Sequence, residues 1–350
     1  MRILAVDLGK NKSVFVDYHV GGDRHFGKVD TNAHELQKLL LRCTPDRMVI
    51  EAGAAAGWVC DLAEKLKIPI QVANANDERW RWKNVKDKSD RKDALKLAQM
   101  SEMDCLPTVH VPNASVRQWR ALIGYRNALV SRRTAIKNSI RSIYERQGIH
   151  LSAARKAWTP AAVEELTKET LLATPDQLWL FEVACELEQL QTLQDQIERI
   201  EVRLEEIAQK KESVKLLKTA PCVGPRLGEV VAAVLDDPHR FKNARQVACY
   251  AGLTPRRWQS GNRDCQGHIS KAGPRLLRQL LVEISWLGVR HKTWMLDVYE
   301  HVCRGSDKRK RIAIVAVARR LLIKLWAMLR DGTPWIEPNP SRTAATAAGG

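Results

Sequence analysis

The sequence predicts an α/β layered domain over residues 1–110, a helical and coiled-coil middle over 111–215, a mainly α-helical domain over 216–335 and a disordered tail over 336–350. Three observations carry this. Short apolar runs bounded by turn residues alternate with helically spaced segments as far as Met103, the pattern of a sheet with interleaved helices. Pro112–Gly148 reads as a long helix or helix pair, Thr159–Thr174 as a less informative connector, and Phe181 to about Lys211 carries a coiled-coil seam. Beyond Val214, apolar helical stretches are separated by Pro/Gly turns.

The elements follow in order. Arg2–Asp7 (RILAVD) is a short apolar β run that ends on an acid, with a glycine two residues on. Ser13–Val20 is a second strand, Gly21-Gly22-Asp23 a turn, and Arg24–Val29 the returning third strand. Ala33–Arg42 has helical spacing through Leu36, Leu39 and Leu40. Arg47–Glu51 (RMVIE) is another buried strand ending on an acid, followed by small residues. Gly57–Leu66 reads as a helix and Pro69–Ala73 as a strand, and a helix bearing Asp90 and Asp93 then runs to about Met103.

The strand ends are where the chemistry gathers. Open α/β sheets place their ligands at the C-terminal ends of their strands, and Asp7 and Glu51 both stand at such ends. If the two strands are neighbours, these acids converge, and the helix after the last strand can bring Asp90 and Asp93 to the same edge. Those two are three apart in KDKSDRKDA (Lys86–Ala94), so they share one helix face. Four carboxylates at one spot repel unless cations lie between them, and divalent cations held there suit phosphodiester chemistry. Taken alone, KDKSDRKDA reads as well as a solvated, salt-bridged helix.

Composition narrows the partners. The chain carries 57 Lys and Arg against 40 Asp and Glu, a net charge of +17, which favours a polyanion such as nucleic acid. No apolar run is long enough to span a bilayer, so no membrane is expected, and MRILAVDLG does not read as a signal peptide. The eight cysteines include no CxxC pair, which argues against a zinc site and a disulfide framework and for a reducing cytoplasm.

Basic residues cluster in three places. RWRWK (Arg79, Trp80, Arg81, Trp82, Lys83) precedes the acidic pair. Pro112–Gly148 is a long basic helix or helix pair in which Arg117, Arg120, Arg126, Arg132, Arg133, Lys137, Arg141 and Arg146 face only Glu145, a one-sided charge that favours tracking phosphates. Trp119 and Tyr125 on it are candidates for base stacking or for the core. The third cluster lies in RQVACYAGLTPRRWQSGNRDCQGHISKAG (Arg245–Gly273), where Ser260-Gly261 is expected in a loop among Arg256, Arg257, Arg263, His268 and Lys271. A serine hydroxyl is a poor nucleophile unless activated, and cations around it would stabilise charge on a phosphoryl centre.

Two further segments organise the second half. Leu190, Leu193, Ile197, Ile200, Leu204 and Ile207 alternate steps of three and four, a short seam that predicts either an intramolecular hairpin or, the preferred reading, a homotypic contact. Val214–Asp237 is helix, turn at Pro221–Pro225, helix, an arrangement that can offer backbone N–H groups to a phosphate. Pro274–Val289 and Ile312–Leu329 read as apolar helices.

On these residues the chain resembles the DEDD transposases of the insertion-sequence 110/1111 family from Met1 to about Arg330. VDLG around Asp7, VIEAG around Glu51 and KSDRKDA match their RuvC-like, RNase H-fold domain. The Pro221–Pro225 hairpin, YAGLTP, QSG and GHISKAG match their second transposase domain. Two departures stand out: Cys222 replaces the hairpin's usual glycine, and Pro274 follows Gly273 where a polar residue is common. The resemblance implies that Asp7, Glu51, Asp90 and Asp93 bind divalent metal, Mg²⁺ or Mn²⁺, and that Ser260 attacks DNA to form a covalent phosphoserine intermediate. It also implies donor and target DNA as substrates, and a structured, bridge-type guide RNA encoded by the same element. A homodimer or tetramer is implied, with active sites able to draw on different subunits, working in the cytoplasm at the bacterial nucleoid. The competing readings are a RuvC-like junction resolvase that uses water and no serine, an actin-like ATPase suggested by DLGKNKS, and a non-catalytic nucleic-acid-binding protein.

Overall fold

The computed structural model describes residues 1–74, 77, 89–152, 156–260 and 263–337, with backbone only at Arg263 and Gln266. It divides into two compact units, Met1–Gln118 and Trp119–Gly350.

In the first unit the strands are β1 (Arg2–Asp7), β2 (Lys12–His19), β3 (Arg24–Asp30), β4 (Arg47–Glu51) and β5 (Ile70–Ala73), with helices α1 (Ala33–Cys43), α2 (Ala56–Lys65) and α3 (Asp90–Glu102). The sheet order is β3-β2-β1-β4-β5; β1 pairs antiparallel with β2 and parallel with β4, and β5 is parallel to β4. Because β3 is antiparallel to β2, only β2 opposes the others. This is the RNase H-like arrangement expected from the sequence.

The side chains explain the layers. Ile3, Leu4, Ala5 and Val6 are all buried, as a central strand covered on both faces requires. Successive residues point to opposite faces. Leu4 and Val6 therefore pack with Leu36, Leu40, Met48 and Val59 under α1 and α2, while Ile3 and Ala5 pack with Val16, Val49, Leu97 and Ala98 under α3. β3 is mostly exposed and charged, which guards the sheet edge against further pairing. Arg2 closes the start of β1 by donating from Nε and Nη2 to Asp17 at 2.8 and 2.6 Å.

Among the described residues, the regular structure of the second unit is helical except for one hairpin. Its elements are α4 (Ala114–Arg146, which enters from the first unit), α5 (Pro160–Leu171), α6 (Leu178–Gln209), α7 (Glu212–Leu217), α8 (Pro225–Leu235), α9 (Ala244–Tyr250), β6 (Pro255–Ser260), β7 (Arg263–Ile269), α10 (Arg275–Arg290), α11 (Trp294–Cys303) and α12 (Lys310–Asp331). Contacts from Arg126 to Glu201, Ser139 to Glu186 and Arg146 to Glu182 show that α4 and α6 run antiparallel. α12 is the central helix of the main core, with Val317, Leu321, Leu322 and Leu325 fully buried among residues of α8, α9 and α10.

Three expectations change here. The seam on α6 is filled by its own chain: Leu190 packs with Ile140, Ile143 and Tyr144 of α4, and Leu204 joins the main core. The homotypic contact preferred for that seam gives way to the intramolecular hairpin, because a seam this short is satisfied by one neighbouring helix. The expected loop around Ser260 is a β-hairpin, with Ser260 paired to Arg263. At the Pro221–Pro225 turn, the N–H groups of Ala220 and Val223 are spent on Leu217 and Ala220 carbonyls. Cys222 there has φ +64°, a left-handed conformation that glycine adopts without strain.

The Arg2 pair gives a pH signature. The guanidinium beside Asp17 holds its carboxyl below the usual carboxylate range. A depressed native pKa adds stability that is fully present above about pH 4 and is lost as pH falls through the native value. Asp17→Asn should melt below the native protein at neutral pH, and melting curves taken down to about pH 3 should show that gap closing. A gap that stays constant contradicts the assignment.

Candidate active site and nucleic-acid interface

The acids at the sheet edge are positioned by pairing. Val6 lies opposite Ile50 in the parallel β1–β4 register, so Asp7 and Glu51 follow as neighbours where both strands end. Both are half-buried, and they line one cleft with Gly9, Thr31, Gly53 and Trp58. Gly9 is required by space: a Cβ there would lie 2.1 Å from the Lys12 carbonyl oxygen, across the turn that follows Asp7.

α3 brings the second pair of acids to this edge by its direction. Its C-terminal end is tied to the start of β4, where Arg47 donates to the Ser101 carbonyl at 3.1 Å, and Ser101 Oγ donates to Gln71 of β5 at 2.7 Å. Tyr18 donates to Glu102 from the equivalent end of β2. α3 therefore runs against β4. From Ser101 back to Asp93 a helix rises about 12 Å, and from Arg47 to Glu51 a strand advances about 13 Å. Asp93 thus reaches the level of Glu51. Ser89 starts the helix, its side chain accepting from the Lys92 N–H, and leaves Asp90 exposed and Asp93 half-buried in the first turn, where the helix dipole favours negative charge.

Lys96 ties these acids together. It is buried, at 9% exposure, one turn after Asp93. Burial lowers its pKa, while the negative charges of Asp93 and Glu51 raise it, so one ammonium group feels an acid from α3 and an acid from β4. Lys96 is not among the residues the sequence singles out. Its signal was its place three residues after Asp93, inside an apolar run. Among the described residues, no three His, Cys, Asp or Glu side chains are gathered closely enough to hold a metal ion. The structure thus brings the acids to one edge without closing them into a coordination shell. Their all-carboxylate chemistry fits a hard divalent cation such as Mg²⁺ or Mn²⁺.

Ser260 sits elsewhere, at the exposed end of β6. The hairpin is seated on a close backbone crossing. A Cβ on Gly252 would lie 2.1 Å from the Ala272 carbonyl oxygen, and one on Gly273 would lie 2.0 Å from that of Tyr250; both glycines have positive φ. Ser270 N–H donates to Thr254 at 2.8 Å and Lys271 N–H to Gly252 at 3.2 Å. Arg278 closes the crossing, its Nη1 facing the carbonyls of Ala251, Ala272 and Gly273 at 3.1, 2.6 and 3.0 Å. YAGLTP and SKAG, far apart in sequence, are two sides of one joint. Pro274 precedes α10 as its cap residue and offers no capping side chain.

The basic residues divide into engaged and available. Arg117 pairs with Asp61 of α2, and Arg126 with Glu201 of α6. Arg120 donates to the carbonyls of Ala233 and Val234 at 2.6 and 3.1 Å, and burial lowers its pKa. Glu201 also lies 3.8 Å from Arg226, which pairs with fully buried Glu229, whose carboxyl is pushed up by burial. Part of the charge of α4 is met by counter-charges from other helices, and Arg117, Arg120 and Arg126 have these internal partners. Lys137 and Arg141 lie over the Trp158 ring, at 5.1 and 5.5 Å. Arg132 is exposed and Arg133 half-exposed, while Trp119 belongs to the core and Tyr125 to the surface. In the hairpin, Arg257 makes a two-pronged pair with Asp264 at 2.8 and 2.6 Å, and Arg256, His268 and Lys271 are exposed. Arg79, Trp80, Arg81, Trp82, Lys83, Lys86 and Lys88 lie outside the described residues, as does the Arg263 side chain.

Comparison with known proteins decides the family. A family model described as a transposase, the DEDD type of IS110, matches residues 4–146, and one described as "Transposase IS116/IS110/IS902 family" matches residues 214–300, together more than half the chain. The chain belongs to the IS110 family of DEDD transposases. Similar proteins include a probable family 20 transposase of Pseudomonas aeruginosa, 29% identical over 71% of this chain and 73% of that protein. The transposase for insertion sequence element IS1111A of Coxiella burnetii is 28% identical over 69% and 67%, and a putative transposase, y4rJ, of Sinorhizobium fredii is 25% identical over 94% and 92%. Among solved structures, Thermus thermophilus RuvC aligns along its whole chain with 31% of this one, at 14% identity and a TM-score of 0.22. At that score the strand order, and not the superposition, carries the RNase H-like assignment. A transposase of this fold acts on DNA, and RuvC-like DEDD nucleases generally use a divalent metal ion. No helix among the described residues is long and apolar enough to cross a membrane.

The crossing at Gly252 and Gly273 yields a direct test. Gly273→Ala forces both a steric clash and left-handed strain, at a cost of about 2–4 kcal/mol. The second unit should melt about 5 °C lower or more, and the Pro255–Ile269 hairpin should become cleavable by added protease. An unchanged melt with a resistant hairpin contradicts the joint.

Proposed function

We propose that this transposase cuts and rejoins the DNA strands of an insertion sequence through a covalent link to Ser260. The observation that carries the reading is the presentation of Ser260: a hydroxyl at the exposed end of β6, on a hairpin seated by the Gly252–Gly273 crossing. In the forward step the Ser260 oxygen bonds to phosphorus and the bridging DNA oxygen leaves with its electron pair. The hydroxyl proton passes to a base. In rejoining, a DNA hydroxyl attacks the phosphoserine and the serine oxygen departs. Exposed Arg256 and Lys271 supply positive charge on the hairpin side.

Asp7, Glu51, Asp90 and Asp93 are the residues that would hold Mg²⁺ or Mn²⁺; when bound, the cation neutralises charge at the reacting phosphate and its oxygens. Without it, buried Lys96 offsets part of the negative charge of Glu51 and Asp93. All five proposed site residues fall inside the stretches that match the family. Donor and target DNA are the substrates, a structured non-coding RNA from the same element guides the choice of site, and the protein acts as a homodimer or tetramer at the bacterial nucleoid.

Ser260→Ala tests the serine directly. Incubated with element-end DNA and guide RNA, the native protein should give a protein–DNA adduct that survives denaturant, and the variant should give none while still binding DNA. Adduct of normal yield in the variant removes Ser260 from the chemistry and favours a RuvC-like hydrolase that uses water.

A further inference from the structure

The hairpin that carries Ser260 also carries an indole with no structural use for most of its surface. Trp258 is 59% exposed, the largest side chain left open on that hairpin. The pairing runs without a bulge from Arg257 to Ser260, with Trp258 opposite Cys265 and Ser260 opposite Arg263. Strand side chains alternate faces, so Trp258 and Ser260 project from the same face, about 7 Å apart along the strand. Arg257 belongs to the other face, where it is held by Asp264.

The ring is also fixed in place. A Cβ on Gly267 would lie 2.4 Å from Cζ3 and 2.9 Å from Cη2 of Trp258, so the indole lies against the Gly267 backbone in space that any side chain would fill. A ring laid over a strand glycine is held by the hairpin, and its remaining surface meets solvent. Two cationic side chains of the same segment, Arg256 and Lys271, are both exposed.

We infer that Trp258 is a stacking platform for an unpaired base of the DNA strand, next to the phosphate that Ser260 attacks. Indole–base stacking accepts any base, and basic neighbours draw in the strand's phosphates. Gripping the neighbouring base fixes where along the strand the phosphodiester meets the serine. Trp258 is in this sense a positioning residue, and the inference rests on the reading of Ser260 as the attacking group.

The test uses the full chain carrying Ser260→Ala, so that no covalent chemistry contributes. A single-stranded oligodeoxynucleotide of about 16 nucleotides, substituted with 5-iodouracil, is cross-linked by ultraviolet light and the attachment mapped by peptide mass spectrometry. The cross-link should map to Trp258. Adding Trp258→Leu should abolish it and weaken binding about tenfold with an unchanged melting temperature, whereas Trp258→Phe should retain most of the affinity. Equal binding by the leucine variant, a cross-link mapping elsewhere, or a stronger cross-link to RNA of the same sequence overturns the inference. Because the serine is absent throughout, these outcomes are separate from any failure of the serine chemistry.

Discussion

The parallel pairing of β1 with β4 is the constraint on which the first unit depends. Both strands are apolar and buried on both faces, so neither can shift by one residue without moving its whole side-chain set to the wrong layer. Fixing that register places Asp7 beside Glu51, because each is the first polar residue after its strand's buried run. The direction of α3 follows from two anchors at its far end, Arg47 and Gln71, and delivers Asp93 to the same edge. A stability requirement thereby gathers negative charge in one place, and buried Lys96 offsets part of it.

The second unit solves a different problem, the presentation of a reactive hydroxyl on a short two-stranded hairpin. Such hairpins have little stability of their own. Here the support comes from beneath, where two glycines let backbones cross at a separation no other residue allows, and Arg278 gathers the carbonyls left at the crossing. The same economy is visible in α4, where Arg126 and Arg120 hold the helices together through Glu201 and the carbonyls at the end of α8. The overall charge of +17 therefore overstates what α4 offers to nucleic acid.

The first unit was largely legible in the sequence, because apolar runs ending in acids obey simple periodicity. β1 and β4 have their expected bounds, and α3 ends within a residue of its expected end. What periodicity could not convey was partnership between distant segments. Asp61, Glu201 and Glu182 neutralise arginines that read as one-sided charge, and the α6 seam finds α4 before it can find another copy. The hairpin was missed because PRRWQS is exposed along its whole length, so no buried face imposed alternation. Its available signal was the dipeptide Gly261-Asn262, a two-residue hairpin turn sequence between runs that pair.

The central claim is that strand ends and a helix start contribute carboxylates to one divalent-cation site. The most direct measurement is calorimetric titration of the full chain with Mn²⁺, comparing the native protein with Glu51→Gln and Asp93→Asn. The account predicts that each substitution weakens binding about tenfold or more, since the two acids converge from separate elements. Native affinity in both variants would contradict it and leave the acids as ordinary strand-end and helix-start residues.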